Sequence, residues 1–241
     1  MLGMQRALSL IYPDQCVLCP ELVETAGGLC ASCWRDVAFL TGLVCDKCGA
    51  SLPGDDDGSS VFCDDCLASL RPWEKGRAVF SYRGAGRRLI LALKHGDRPD
   101  LASPAGAWLE NAGRPVLRRE SLIVPVPIHW SRLLKRRYNQ SVELGRALAR
   151  KTDLDFCPDA LVRVRRTPIQ DGLGVEQRFA NVADAIEPHP RRLEILFGRD
   201  VCLIDDVMTS GATLSAATGA CLDAGARRVS VLVLARVEKA S

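Results

Sequence analysis

Residues 201–213 read Val-Cys-Leu-Ile-Asp-Asp-Val-Met-Thr-Ser-Gly-Ala-Thr. The first four are apolar, and a parallel strand buried on both faces reads as such a continuous hydrophobic run. A strand is therefore predicted over residues 201–204. Asp205 and Asp206 then fall at its carboxyl end, where open α/β sheets place their ligands. Val207 and Met208 lead into Thr209, Ser210, Gly211, Ala212 and Thr213, and residues 214–225 read as a helix closing on Gly225. A loop of small and hydroxyl residues at a helix start offers N–H groups and hydroxyls to an anion, aided by the positive end of the helix. Gly211 suits both the turn and the close approach of a phosphate, because it lacks a Cβ. The paired carboxylates suit vicinal sugar hydroxyls, so the run implies a sugar-phosphate ligand. No Lys follows the glycine, which sets the loop apart from a P-loop.

Far upstream stands a second signal, the pairs Cys16/Cys19, Cys30/Cys33, Cys45/Cys48 and Cys63/Cys66, each spaced C-x-x-C. A thiolate pair at this spacing chelates one metal from a tight knuckle, and two pairs complete the tetrahedral set that zinc prefers. Eight thiolates make two closed sites with no position for a catalytic water, so two structural Zn2+ ions are expected. Neighbouring pairs sharing an ion is the simplest arrangement, and an interleaved one stays open. Disulfides are disfavoured because no secretory signal is evident at the start of the sequence and a nucleotide-type site belongs to the reducing cytosol. So small a region buries little apolar area, and metal binding is expected to supply much of its folding free energy. The boundary is expected around Arg71, Pro72 and Trp73, giving a cysteine-rich domain over 1–72 and an α/β domain over 73–241. Cys157, Cys202 and Cys221 are isolated, and Cys202 falls in the predicted strand.

The 241 residues leave room for one medium and one small domain, and 47% hydrophobic residues allow a real core. No apolar stretch approaches the roughly 18–20 residues of a membrane span, and a cytoplasmic location is expected. Residues 2–12 suit a short amphipathic helix. Net charge is +3, but unevenly spread: residues 1–70 hold three basic and ten acidic side chains, −7, which leaves +10 for the rest. Residues 130–170 carry ten Lys or Arg against four acids. A polyanion is expected to meet the second half.

Between these two signals, residues 78–83 suit a strand and 86–95 a helix, with a second helix over 101–111. Residues 122–127, Leu-Ile-Val-Pro-Val-Pro, form an apolar strand ended by prolines, since Pro125 cannot donate to a ladder. The loop that follows, over 128–132, is expected at the same sheet edge as the aspartates. A basic block then runs from Arg132 through Lys135, Arg136, Arg137, Tyr138 and Asn139 to Gln140, and the next residues have helical spacing. Arginine suits bidentate phosphate contacts and lysine a point-charge contact.

The strand, paired acids and TSGAT loop resemble the ribose-5-phosphate motif of type I phosphoribosyltransferases, which bind phosphoribosyl pyrophosphate (PRPP) with magnesium. Pro125, Val126, Pro127, Arg132, Arg136, Tyr138, Asn139 and Gln140, set beside the cysteine ladder, resemble the ComF and GntX branch of those proteins. Arg137 departs from the pattern by standing where the branch has Gly. Lys94 and His95 fit an L-K-H motif, and Arg166, Thr167, Gln170, Leu173, Arg178 and Asn181 fit a third, around a loop whose Gly172 and Gly174 suggest mobility.

The resemblance implies a parallel sheet flanked by helices, of the type I phosphoribosyltransferase kind, behind a small zinc ribbon. It implies PRPP held with Mg2+ by Asp205, Asp206, Val207, Met208, Thr209, Ser210, Gly211, Ala212 and Thr213. Pro127, Ile128, His129 and Arg132 would meet the pyrophosphate. Asp205 and Asp206, on the ribose hydroxyls, are the catalytic candidates for transfer of a phosphoribosyl group with release of pyrophosphate. No general base or acceptor-base pocket is evident. The branch is associated with DNA uptake in natural competence, which implies three alternatives: a transferase, a catalytically silent PRPP-regulated protein on single-stranded DNA, or a zinc-domain adaptor. Lys135, Arg136, Arg137, Tyr138, Arg163, Arg165 and Arg166 are the candidate nucleic-acid contacts, with Trp130 and Tyr138 for stacking. The acidic zinc region is expected to meet a protein partner or to pack on the larger domain.

Overall fold

The computed structural model describes residues 13–95, 98–167 and 174–238, and only the backbone of His95, Pro99, Arg132, Lys135, Arg136 and Val175. The expected helix over 2–12 and the motif residues Gln170, Gly172 and Leu173 lie outside the described residues. In chain order come α1 (Ala31–Asp36), α2 (Asp64–Ala68), β1 (Gly76–Ser81), α3 (Gly84–His95), α4 (Ala102–Gly113), β2 (Leu122–Pro125), α5 (Trp130–Arg136) and α6 (Gln140–Thr152). There follow β3 (Leu161–Arg163), α7 (Val175–Val182), β4 (Ile186–Pro188), α8 (Leu193–Leu196), β5 (Asp200–Met208), α9 (Ala212–Asp223) and β6 (Arg228–Arg236).

Four strands form one parallel sheet in the order β1-β6-β5-β2. β3 and β4 pair antiparallel as a separate two-stranded ribbon. The runs of Val, Ile and Leu in β5 and β6 are buried on both faces, as a covered parallel sheet requires. On one face Ile123, Cys202, Ile204 and Leu232 pack with Leu89, Ile90 and Leu93 of α3, Leu109 of α4, and Leu144 and Leu148 of α6. On the other, Leu203, Val231 and Val233 pack with Leu214 and Ala217 of α9, Leu196 of α8, and Leu161 and Ile186 of the small ribbon. The expected parallel sheet with helices on its faces is borne out.

The cysteine-rich segment covers the edge of this sheet. β1 has a free flank, and unpaired strand edges invite association unless covered. Residues 38–40 cover it: Ser81 donates to the Ala38 carbonyl and Leu40 to the Val79 carbonyl, both at 2.9 Å, and Phe39 bridges Phe80. Cys45, Cys48 and Cys66 belong to the same apolar cluster as the sheet. Gly76 donates to the Asp46 carbonyl at 2.7 Å, and the Asp46 carboxylate meets Arg77 at 2.6 Å. Gly49, at φ 69, shows how close the approach is, because a Cβ there would lie 2.5 Å from the backbone N of Ala78. Both Arg71 and Trp73, where the boundary is expected, are buried.

Arg137 ends α5 in the left-handed region, at φ 67. A non-glycine residue there carries strain of about 1–3 kcal/mol, partly offset by the chain entropy that glycine loses on folding. The turn therefore keeps the shape that glycine adopts freely, and its N–H caps the Leu133 carbonyl at 2.7 Å. Arg137→Gly is expected to stabilise the fold by about 1 kcal/mol, measured by chemical denaturation of the metal-loaded protein.

Candidate functional site

All four strands of the sheet run parallel, so their carboxyl ends open on one edge. β5 differs there from expectation: it does not stop at Ile204 but runs on to Met208, so both aspartates lie within the strand. β6 supplies the reason. It is long and apolar enough to pair past Ile204, with Asp205 opposite Val233, Val207 opposite Ala235 and Met208 opposite Arg236. β2, by contrast, ends at Pro125 opposite Ile204, and Val126 makes a last bond to the Ile204 carbonyl at 2.9 Å. The aspartates are thus paired on one flank and open on the other.

The start of α6 fills that open flank. Asn139 is its N-cap: the side-chain oxygen accepts from the Ser141 N–H at 3.0 Å, and its amide donates to the Val126 carbonyl at 3.1 Å. This ties the helix start to the end of β2 and places the Ser141 hydroxyl, which donates to Asp205 at 2.9 Å. The same carboxylate accepts from the Asp206 N–H at 2.9 Å. Asp206 in turn pairs with Lys94, at the end of α3, at 3.2 Å. Burial, and then the neighbouring Asp206 charge, push the Asp205 carboxyl up to about 7.

The loop after β5 is held from behind by two buried arginines. Arg236 donates to the carbonyls of Met208 at 3.2 Å, Thr209 at 2.7 Å and Val237. Arg71 donates to the carbonyl of Ser210. The C=O and N–H of one trans peptide point in opposite directions. With the Thr209 and Ser210 carbonyls turned to the arginines, the N–H groups of Ser210 and Gly211 face away from them. Gly211, at φ 82, then opens α9. Met208 and Ala212, expected among the ligand residues, are buried, and the Met208 carbonyl is taken by Arg236 and the Val237 N–H.

Other expected site residues fall in several places. Pro127, Ile128 and His129 leave β2 beside the aspartates, as the sheet register requires. The loop expected over 128–132 is cut short, because α5 begins at Trp130. His129 is its N-cap: Nδ1 accepts from the Ser131 N–H at 3.3 Å and lies 2.8 Å from the Ser131 hydroxyl. Arg132, Lys135 and Arg136 lie on α5, and their side chains are outside the described residues. Tyr138 donates its hydroxyl to the Leu93 carbonyl, which ties the basic block to α3. Arg163 donates to the Thr167 hydroxyl at 2.6 Å and Arg165 to the Ala183 carbonyl at 2.5 Å; Arg165, Arg166 and Trp130 are exposed. Nothing in the sequence near Ser141, Arg71 or Arg236 marks them as neighbours of the aspartates and the loop, and Lys94 stands out only through a motif match. The L-K-H motif was the one available signal for Lys94.

The cysteines form two sets, Cys16, Cys19, Cys30 and Cys33, and Cys45, Cys48, Cys63 and Cys66, with ligand atoms in each within 4.8 Å of one another. Neighbouring pairs therefore share a site, and the interleaved arrangement falls. Four converging thiols with no histidine or carboxylate among them fit zinc in a closed, structural role. Cys202 and Cys221 are raised to about 12 by burial and serve as packing.

Residues 7–67 match the double zinc ribbon domain model. Over 234 residues the chain is 31% identical to DNA utilization protein YhgH of Escherichia coli O157:H7, covering 94% of this chain and 99% of that one. The chain belongs to the ComF/YhgH family. Competence protein F of Haemophilus influenzae is 28% identical, with 92% of this chain and 96% of that one covered. The family is thus linked by the names of its members to DNA utilization and competence. Glutamine PRPP amidotransferase from B. subtilis is similar at a TM-score of 0.40 and 15% identity, over 59% of this chain and 30% of that one, too remote to bear on function. No helix among the described residues is long and apolar enough to cross a membrane.

Two outcomes are expected. The purified protein should carry two zinc ions per chain, one for each cysteine set, by elemental analysis, and their removal by a chelator should lower the thermal midpoint. The second concerns Asp205. In the folded chain its carboxyl keeps a proton up to about 7, whereas the unfolded chain releases it near the ordinary value of about 3.9. Its stabilising contribution is therefore present at low pH and lost as pH rises through the folded value. Asp205→Asn, which still accepts from Ser141, should raise the thermal midpoint relative to wild type most near about pH 8, less near about pH 5, where the unfolded carboxyl is already ionised, and least below about pH 4. An equal shift near about pH 8 and below about pH 4 would show that the carboxyl is not held protonated.

Proposed function

We propose that this protein binds PRPP with magnesium at the carboxyl edge of its parallel sheet. One juxtaposition carries this reading: two adjacent carboxylates in the last part of β5 stand two residues before a loop whose carbonyls are drawn back by two arginines, at the start of α9. In this reading Asp205 and Asp206 accept from the ribose hydroxyls. Residues 209–213 take the 5-phosphate through N–H groups and hydroxyls, and Pro127, Ile128, His129 and Arg132 meet the pyrophosphate. Lys94 keeps the two carboxylates from facing each other uncompensated, at 3.2 Å from Asp206. Magnesium, when bound, neutralises pyrophosphate charge. The chain's own residues orient the ribose and hold the phosphate, so that positioning and charge stabilisation would together favour transfer.

Single-stranded DNA is the second ligand that the chain favours. Its relatives are named for DNA utilization and competence. Trp130, 65% exposed, stands beside the site on a helix that also carries Arg132, Lys135 and Arg136 in its sequence. Aromatic stacking with a basic backbone-tracking surface is the usual device for sequence-tolerant binding.

Calorimetric titration of Mg2+·PRPP into the zinc-loaded protein is expected to show saturable binding. Asp205→Asn with Asp206→Asn should weaken it at least about tenfold, since hydrogen bonds to charged acceptors are worth about 1.5–3 kcal/mol each. No binding to wild type would end the proposal. Pyrophosphate release in the presence of a base panel separates a transferase from a silent binder.

A further inference from the structure

Arg71 joins the second cysteine site to the loop after β5. Its guanidinium is buried, donates to the Ser210 carbonyl, and stands beside Cys66. It also lies 5.6 Å from the centre of the Trp73 ring. Trp73 forms a second leg. Its indole N–H donates to the Lys47 carbonyl at 2.6 Å, and the Lys47 ammonium donates back to the Trp73 carbonyl at 2.6 Å. Lys47 sits inside the Cys45-x-x-Cys48 knuckle. Both legs converge on Gly211, where a Cβ would stand 2.6 Å from a nitrogen of Arg71 and 3.0 Å from the Trp73 ring. Two residues of one short segment thus touch the cysteine knuckle on one side and the loop on the other.

The geometry gives this contact a direction. Lys47 lies between two converging cysteines, and a knuckle of this kind keeps its shape when its ligands close on a metal. Loss of the metal frees the knuckle, and with it the paired Lys47–Trp73 bonds that fix the Trp73 ring and the Arg71 side chain under Ser210 and Gly211. The Arg71 Nε lacks a hydrogen-bond partner, so its place depends on these neighbours. The first cysteine set packs instead with Leu18, Val23 and Leu29.

We propose that Arg71 is a positioning residue that couples metal occupancy of the Cys45, Cys48, Cys63 and Cys66 site to the conformation of the 209–213 loop. The loop holds its anion-facing shape in the metal-loaded protein and loses it when this site empties. Only the consequence for ligand affinity rests on the PRPP reading; the conformational coupling does not.

The test uses the full-length protein. Wild type is titrated with a chelator while hydrogen exchange is followed in peptides covering the loop, β1 and β2. Exchange in the loop should rise about tenfold, within the usual range for coupled sites, at chelator levels that leave β2 protected. Loop protection that survives until β2 opens would overturn the coupling without recourse to any variant. Arg71→Gln, Arg71→Lys and Trp73→Phe are then compared with wild type as Co2+-loaded proteins, whose absorption reports the thiolate set. Among variants that retain both metals, faster loop exchange is expected in Arg71→Gln, with partial rescue in Arg71→Lys. In wild type, Mg2+·PRPP should shift the cobalt spectrum, and in Arg71→Gln it should not. Unchanged loop exchange in a metal-replete Arg71→Gln would sink the proposal. Failure of wild type to bind PRPP would instead sink the phosphate reading and leave the exchange data to decide the coupling.

Discussion

Asp205 and Asp206 put two carboxylates side by side where a central strand leaves the core, and neighbouring segments are arranged to make that tolerable. Like charges this close disfavour each other's ionisation, and burial adds to the cost. The chain answers with three elements that are distant in sequence. β2 stops at Pro125 and frees one flank of β5. The start of α6 brings the Ser141 hydroxyl into that flank, and the end of α3 brings Lys94. Even so, burial and the neighbouring Asp206 charge raise the Asp205 carboxyl to about 7.

The zinc ribbon is part of the same construction. Residues 38–40 cover the exposed flank of β1, and the second cysteine set shares an apolar cluster with the sheet. The ribbon's acidic character is met at the contact, where Asp46 pairs with Arg77 and Asp36 with Arg88, at 2.6 Å and 2.9 Å. Metal binding therefore shapes a surface on which the larger domain rests, and Arg71 carries that dependence to the loop after β5.

Local pattern made much of the architecture legible. The apolar run before Asp205, the prolines after Val124 and the helical spacing after Gln140 each place an element close to where it stands, because burial period and proline chemistry are properties of neighbouring residues. Element ends were less legible. β5 runs beyond Ile204 because β6 offers it a partner, and the loop after β2 is shortened because His129 caps a helix at Trp130. Both outcomes depend on what lies alongside, and no window of sequence contains that.

The residues themselves determined which chemical groups the chain offers: paired acids, a glycine at a helix start, and cysteines spaced for metal. Those properties reside in side-chain type and short spacing. Only the tertiary structure decided which cysteines share a site, and that Lys94, Ser141, Arg71 and Arg236 belong to the loop and its acids. Each of these contacts joins elements far apart in the chain, and a charge or hydroxyl takes its role from the group that folding sets opposite it.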